Sequence, residues 1–451
     1  MIQSNKFLWI LTSVFSHLPF SCAQNVTEDS LPSVRSVVKD SNDTSSSKNS
    51  SFLDLELIRV IQSKTKLSDD SKWTYDRSIS SPKSVIFSVD GSKFYINSLE
   101  GYATVVYDAH TLNKLSVIKH SFNKDNANLF LGKESKALSY DFKQHRADYN
   151  VFLGKPVESC LSHNGRYLWV TYYRRDWDLS AVFPSAVAII DTRTDEFVRV
   201  IPCGPLPKMI ACSPDNKYVA ITHWGDNTVA LIDISSEDPV EFKYTSHVVI
   251  DQLVKNDFTG IVDRDNNCSN CLRGTVFTEN SELVLVAKMG GNGIAVIHVT
   301  TGKYLGTIIG SYQNVRHLKL VDGNLFLSSN KFGAVQRASL ADIFNTPFDK
   351  QKQVRYDGWR TAMVGAGART IDVTKDGNYT FACVNNSSKI VVINNEDMNV
   401  IYEINTESFP VGMALSPDNT LLIVTAQGKE STPNTGNAVM IYKANFKVNK
   451  F

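Results

Sequence analysis

A tight turn of the Asp-Gly or Asp-Asn type recurs seven times in this chain, each time between short runs rich in Val, Ile, Tyr and Phe. The turns are Asp90-Gly91, Asn164-Gly165, Asp215-Asn216, Asn280-Ser281, Asp322-Gly323, Asp376-Gly377 and Asp418-Asn419. Gly and Asn tolerate the positive φ of a tight hairpin, so each turn marks a pair of antiparallel strands. A polar loop and another β-rich run follow, often closing on Ile-Asp as in Ala230-Leu-Ile-Asp233. Such a unit cannot bury its own apolar face, so its copies must stack. Seven copies closed in a circle make an all-β, seven-bladed β-propeller of four-stranded blades.

Successive turns lie 42 to 74 residues apart, and the shortest spacing occurs twice. One blade needs roughly 40 to 45 residues, so the excess is insertion, at Lys119 to Gly154, Pro239 to Cys271 and Asn345 to Gly367. Loops of this length are expected to thicken the ligand-entrance face and to carry partner specificity. The ring also needs a seal, because an unpaired edge strand invites aggregation. The last copy supplies three strands. An orphan run near the start, Leu55-Glu-Leu-Ile-Arg-Val-Ile61, has the character of the fourth strands at 197–201 and 400–404, and is expected to complete the last blade.

A hydrophobic content of 42% and 10% aromatics suffice to line sheet-to-sheet contacts, while a net charge of +1 gives no bias toward nucleic acid or anionic membranes. Residues 53–451 therefore read as one propeller, expected to be monomeric. Residues 1–23 read as an export signal: Lys6, the apolar run Phe7 to Phe15, then Ser21-Cys-Ala23 as a small-x-small cleavage site. Residues 24–52, rich in Ser, Asn, Asp and Thr, have the composition of a disordered tether. Two fates stay open. Cleavage after Ala23 releases a soluble protein, whereas cleavage before Cys22 leaves a lipidated N-terminus as the sole membrane attachment, although Pro19 and Phe20 depart from the usual lipobox. Either way the protein is expected to be exported, to the periplasm or cell surface.

Export makes the remaining cysteines candidates for oxidation. Cys160, Cys212 and Cys383 fall within strands and read as inert thiols. Cys268 and Cys271 share a loop with no following His and no second Cys-x-x-Cys, which excludes c-type haem and argues against structural zinc. A local disulfide, or one with Cys203, is expected. Asp263-Arg-Asp-Asn-Asn267 imitates a calcium loop, but Cys268 replaces the Gly and Gly274 stands where a Glu belongs, so no metal is expected.

Copies reading Pro-x-x-Ile-Ala-x-Ser-Pro-Asp-(Gly/Asn), followed by a Val-x-Leu-Ile-Asp run, resemble the YVTN repeat family and its YncE-like exported seven-bladed propellers. The likeness covers residues 53–451 and is strongest at 207–234, 368–394 and 409–426. In place of Tyr-Val-Thr-Asn stand Tyr95-Ile-Asn-Ser98, Trp169-Val-Thr-Tyr172, Val219-Ala-Ile-Thr222 and Ile423-Val-Thr-Ala426. The motif is architectural. It implies a binding or surface protein, with lactonases among related propellers.

Counting seven residues back from each turn reaches the channel end of the first strand of a blade. Four of those positions are basic: Lys83, Lys208, Arg273 and Arg369. Arg316 stands six back in its blade, Val157 and Val411 break the pattern, and Lys155 lies close to Val157. Loops expected on the same face add Arg174, Arg175 and Trp177, His223 and Trp224, Lys288, Lys331, and Trp359-Arg360. Cations beside aromatic faces suit an anionic small molecule or a glycan. The plainer alternative is that these cations reach solvent or pair with acids of adjoining blades. No nucleophile elbow, zinc-protease helix, phosphate loop or cofactor motif is present, so a non-catalytic binding protein is expected. A lactonase or lyase using His223, His317, Asp176 or Glu158 as acid or base is the alternative, and an adhesion protein holding an envelope partner is a third.

Overall fold

The computed structural model describes residues 53–63, 71–132, 150–254, 263–429 and 436–446; the export segment, the tether and Cys22 lie outside the described residues. Seven sheets account for the strands. Their first strands are Pro82–Phe87, Phe152–Ser162, Pro207–Cys212, Leu272–Phe277, Val315–Val321, Ala368–Val373 and Pro410–Leu415. Each packs against the next and the seventh against the first, so seven inner strands line one axis. The predicted seven-bladed propeller is what forms.

The hairpin turns repeat one piece of hydrogen bonding. In the third blade Ser213 Oγ donates to Asp215 Oδ1 at 2.6 Å and accepts the Tyr218 N–H at 2.9 Å. Ser88 with Asp90, Thr374 with Asp376 and Ser416 with Asp418 repeat it. The residue after the Asp is left-handed in each of these copies, Gly91, Asn216, Gly377 and Asn419, which is why Gly or Asn recurs there, with Ser281 of the fourth blade the exception.

Second and third strands are buried on both faces. Ser185–Asp191 is covered along its whole length, and its neighbours on either side are other blades. That removes the need for polar-apolar alternation and explains continuous runs such as Ala186-Val-Ala-Ile-Ile190. The apolar clusters accordingly lie between sheets, one of them joining Ile61, Phe94, Val105 and Ile423 across the first and last blades.

Leu53–Gln62 pairs antiparallel with Ala438–Phe446, from Leu53 opposite Phe446 to Gln62 opposite Ala438. The orphan run is thus the fourth strand of the last blade, and Leu53, Leu55, Val60 and Ile61 are buried there. Trp73–Tyr75 adds a fifth strand in parallel.

The described parts of the insertions depart from expectation. From Asn345 to Gly367 the chain supplies the fourth strand of the fifth blade, Arg360–Met363, and an extra outer strand on the fourth blade, Gln353–Arg355. It builds the outer wall rather than the entrance, and Trp359 accordingly packs on Tyr356 at 5.9 Å. Within Lys119 to Gly154, the turn Lys124–Phe130 packs near the outer strand of the second blade, Glu196–Cys203, through Phe122 and Phe130. Pro239 to Cys271 divides: Lys243–Val249 is the outer strand of the third blade, and Asp265, near its end, reaches the channel.

Candidate functional site: a cationic channel mouth

Every inner strand breaks register near its entrance end. The irregularities fall between Pro82 and Val85, Pro156 and Ser159, Pro207 and Met209, Leu272 and Thr275, Val315 and His317, Ala368 and Ile371, and Pro410 and Gly412. A bulge breaks alternation and re-aims the side chain it carries. The bulged residues include Lys83, Lys208, Arg273, Arg316 and Arg369, the five cations picked out by spacing.

A hydroxyl from the preceding blade holds several of these bulges. Thr222 Oγ1 donates to the Arg273 carbonyl at 3.2 Å, Thr425 Oγ1 to that of Lys83 at 2.6 Å, and Ser328 Oγ to that of Arg369. Thr222 and Thr425 are the Thr of the repeated Val-Ala-Ile-Thr and Ile-Val-Thr strands. The architectural Thr therefore positions the next blade's cation.

The cations converge. Lys83, on the first blade, is pushed well below the ordinary lysine value by burial and then by Arg369, Arg273, Arg316 and Lys208, from the sixth, fourth, fifth and third blades. Groups from opposite sides of a ring act on one another this way only if all face the axis. Lys208, Arg273, Arg316 and Arg369 are each less than one tenth exposed, while Lys83 is half-buried. Burial and the neighbouring charges also bring Lys208 down to about 8, although Asp265 opposes the shift.

Among the described residues two carboxylates answer this charge. Glu158 lies 4.0 Å from the Arg273 guanidinium; burial raises its carboxyl while Arg273, Lys83, Arg369 and Arg316 pull it down. Asp265 meets Lys208 at 3.2 Å and accepts from the Tyr173 hydroxyl. Glu158 shares its bulge with Val157, which turns into the apolar cluster of Tyr173, Leu206 and Trp224. The seven-residue count selected Val157 because it assumed regular alternation, which the bulge breaks.

Apolar groups flank the cations. Lys208 lies 4.1 Å from the Tyr173 ring centroid and 4.8 Å from that of Trp224, whose Nε1 donates to the Asp265 carbonyl at 3.1 Å. Arg369 lies over Phe409 at 5.6 Å, with its Nε buried and without a hydrogen bond, and Arg316 approaches the Met289 sulfur at 3.4 Å. Cys268 and Cys271 form the local disulfide within the same apolar cluster, a few residues after Asp265. Cys160, Cys203, Cys212 and Cys383 are free thiols, and burial raises each of them, Cys212 to about 12.

The other expected residues are distributed over several places. Arg175 is fully buried 4.1 Å over the Phe152 ring, held to the Pro184 and Ser185 carbonyls, so it supports the second blade and is removed from the mouth. Trp177 packs on Phe183. Arg174 stays near, over Tyr173 at 5.3 Å and bonded to the Leu179 carbonyl. Lys288 is committed to Asp251 at 2.7 Å, and Lys155 to Glu100 at 2.8 Å. Lys331 is exposed beside a stacked Tyr312–Phe332 pair, centroids 5.4 Å apart. Asp176 accepts the Leu153 N–H, and His317 Nδ1 lies 3.4 Å from the Ile371 N–H.

His223 turns away from the lumen. With Asp226 and His247 it forms a group whose ligand-type atoms lie within 4.8 Å of one another. The Thr228 hydroxyl sits between them, 2.8 Å from His223, 2.7 Å from His247 and 2.7 Å from Asp226, and fills the place a cation would take. Gly204 N–H donates to the remaining His223 nitrogen, so Nδ1 carries the proton toward Thr228. A cleft between the hairpins of the fourth and fifth blades is lined by Glu279 and Asp322 but no Lys or Arg, so it lacks the channel's chemistry.

No family model matches the chain, and no curated protein matches its sequence. Among solved structures it is similar to the hydrazine synthase of Kuenenia stuttgartiensis, at TM-score 0.54 and 13% identity over 85% of this chain and 100% of that one. It is likewise similar to the β-propeller domain of Cps50 (Swd1) from Myceliophteria thermophila, at TM-score 0.56 and 12% identity over 86% of this chain and 99% of that one. At such identities the likeness concerns the fold alone: a seven-bladed β-propeller.

Proposed function

We propose that this protein is an exported, non-catalytic member of the YVTN-repeat, YncE-like propellers, and that it binds a small polyanion at the channel mouth. The observation that carries the reading is the convergence of Lys83, Lys208, Arg273, Arg316 and Arg369 on one axis, answered among the described residues by Glu158 and Asp265. Buried, preorganised guanidinium groups suit carboxylate or phosphate, and the excess positive charge calls for a ligand with more than one negative charge. The Cys268–Cys271 disulfide fits an oxidising compartment and thus supports export.

Arg273→Ala and Arg369→Ala are each expected to weaken citrate or inorganic pyrophosphate binding by about tenfold or more, as losing a charged contact of 1.4 kcal/mol does. Calorimetry with the full chain reads this, alongside a circular dichroism spectrum to confirm the fold. Affinities that both variants leave unchanged would refute the channel as the site.

A further inference from the structure

Each cation of the mouth has a local partner except one. Lys208 has Asp265, Arg273 has Glu158, Arg316 has the Met289 sulfur and Arg369 has the Phe409 ring. Among the described residues the Lys83 amine has no hydrogen bond, ion pair or ring contact. Its backbone, by contrast, is fixed: the Lys83 carbonyl accepts from Thr425, and the Gly412 backbone lies so close that a Cβ there would stand 2.2 Å from that oxygen. The side chain is half-buried and faces Glu158 and four like charges.

We propose that Lys83 is a reactive amine that condenses with the carbonyl group of a small oxo acid, whose carboxylate the surrounding guanidinium groups hold. This rests on the anion-binding reading above and gives its ligand a chemical class. A lysine crowded by like charges sheds its proton, and the neutral amine is the nucleophile. Burial and Arg369, Arg273, Arg316 and Lys208 all act in that direction. The nitrogen lone pair attacks the carbonyl carbon, the C=O π pair moves to oxygen, and a proton passes from nitrogen to oxygen to give a carbinolamine. The hydroxyl leaves as water with a proton taken from solvent, and a protonated imine remains, facing the Glu158 carboxylate. No oxidant or reductant is consumed. The imine carries the charge that the amine had shed, and the bound carboxylate and the Glu158 carboxylate now balance it.

The test incubates the full chain with glyoxylate or 2-oxoglutarate at pH 7, reduces any imine with cyanoborohydride, and maps the adduct by mass spectrometry. The expected result is one saturable adduct at Lys83, forming at least about tenfold faster than on any exposed lysine, since each unit of lowered pKa gives tenfold more free amine. Citrate, which has no carbonyl to condense, should compete. Lys83→Arg, its fold confirmed by circular dichroism, should lose the adduct. Adducts spread over surface lysines, or an adduct that Lys83→Arg retains, would overturn the proposal. If citrate binds but no adduct forms, the imine proposal fails and the anion site stands; if citrate does not bind either, both fail.

Discussion

Lys83 ties charge in the lumen to solution pH. Its folded value is depressed by burial and four cations, so in the empty channel, at pH above that value and below the ordinary 10.5, the amine is neutral where an isolated lysine would be charged. An anion favours the charged form and raises the value again, so binding takes up protons and affinity rises as pH falls through this window. Citrate titrated calorimetrically in two buffers of different ionisation enthalpy should show uptake of a sizeable fraction of one proton, and Lys83→Met should abolish it; zero uptake by the parent protein would contradict the charge crowding. Residue types were legible at this scale before the fold was known. Lys83, Lys208, Arg273, Arg316 and Arg369 stand at fixed distances from their turns. Glu158 entered only as an acid or base of the alternative enzyme reading, because a bulge offsets it from the count, and Asp265 was not assigned, because its loop lies far from Lys208 in sequence.

At the scale of strands, the repeated Thr does work that no single blade reveals. Thr222 and Thr425 each lie on a second strand, and each hydroxyl holds the backbone of the next blade's cation. Thr→Val keeps shape and removes the donor: the Lys83 carbonyl then loses its side-chain partner at roughly 1 to 3 kcal/mol, whereas the Arg273 carbonyl keeps the Thr275 hydroxyl at 2.7 Å, so the loss at Thr222 is smaller. Thr425→Val is therefore expected to lower the melting temperature by several degrees and, by loosening Lys83, to weaken citrate binding several-fold, with Thr222→Val showing the smaller effect on both. A denaturation curve and a binding isotherm on each variant check both parts; full affinity in a destabilised variant would confine the Thr to stability. Strand identity and turn chemistry were readable because they are local, Asn216 and Asn419 marking left-handed positions that few residues accept. The fate of the insertions was not, since whether Gln353–Arg355 joins the rim or the outer wall depends on which edge strand is free to pair.

For the molecule as a whole, closure decides whether the ring exists. Leu53, Leu55, Val60 and Ile61 are buried in the last blade, at roughly 1.5 to 3 kcal/mol each. Their sum is of the order of a domain's entire stability, about 5 to 15 kcal/mol. A chain beginning at Trp73 is expected to yield no soluble monomer, the exposed edge of Ala438–Phe446 pairing with other chains; size-exclusion chromatography showing a monomer of undiminished stability would refute the seal. Seven repeats, their turn residues and the orphan strand at 55–61 follow from the sequence alone, because hairpin dihedrals and the need to bury an apolar sheet face are set within one repeat and its neighbour. The tertiary structure decided which side chains share the axis. Bulges and cross-blade hydroxyls set Lys83 and Arg273 facing one another across the axis, and this arrangement, which depends on where all seven blades sit at once, gives the lumen its charge.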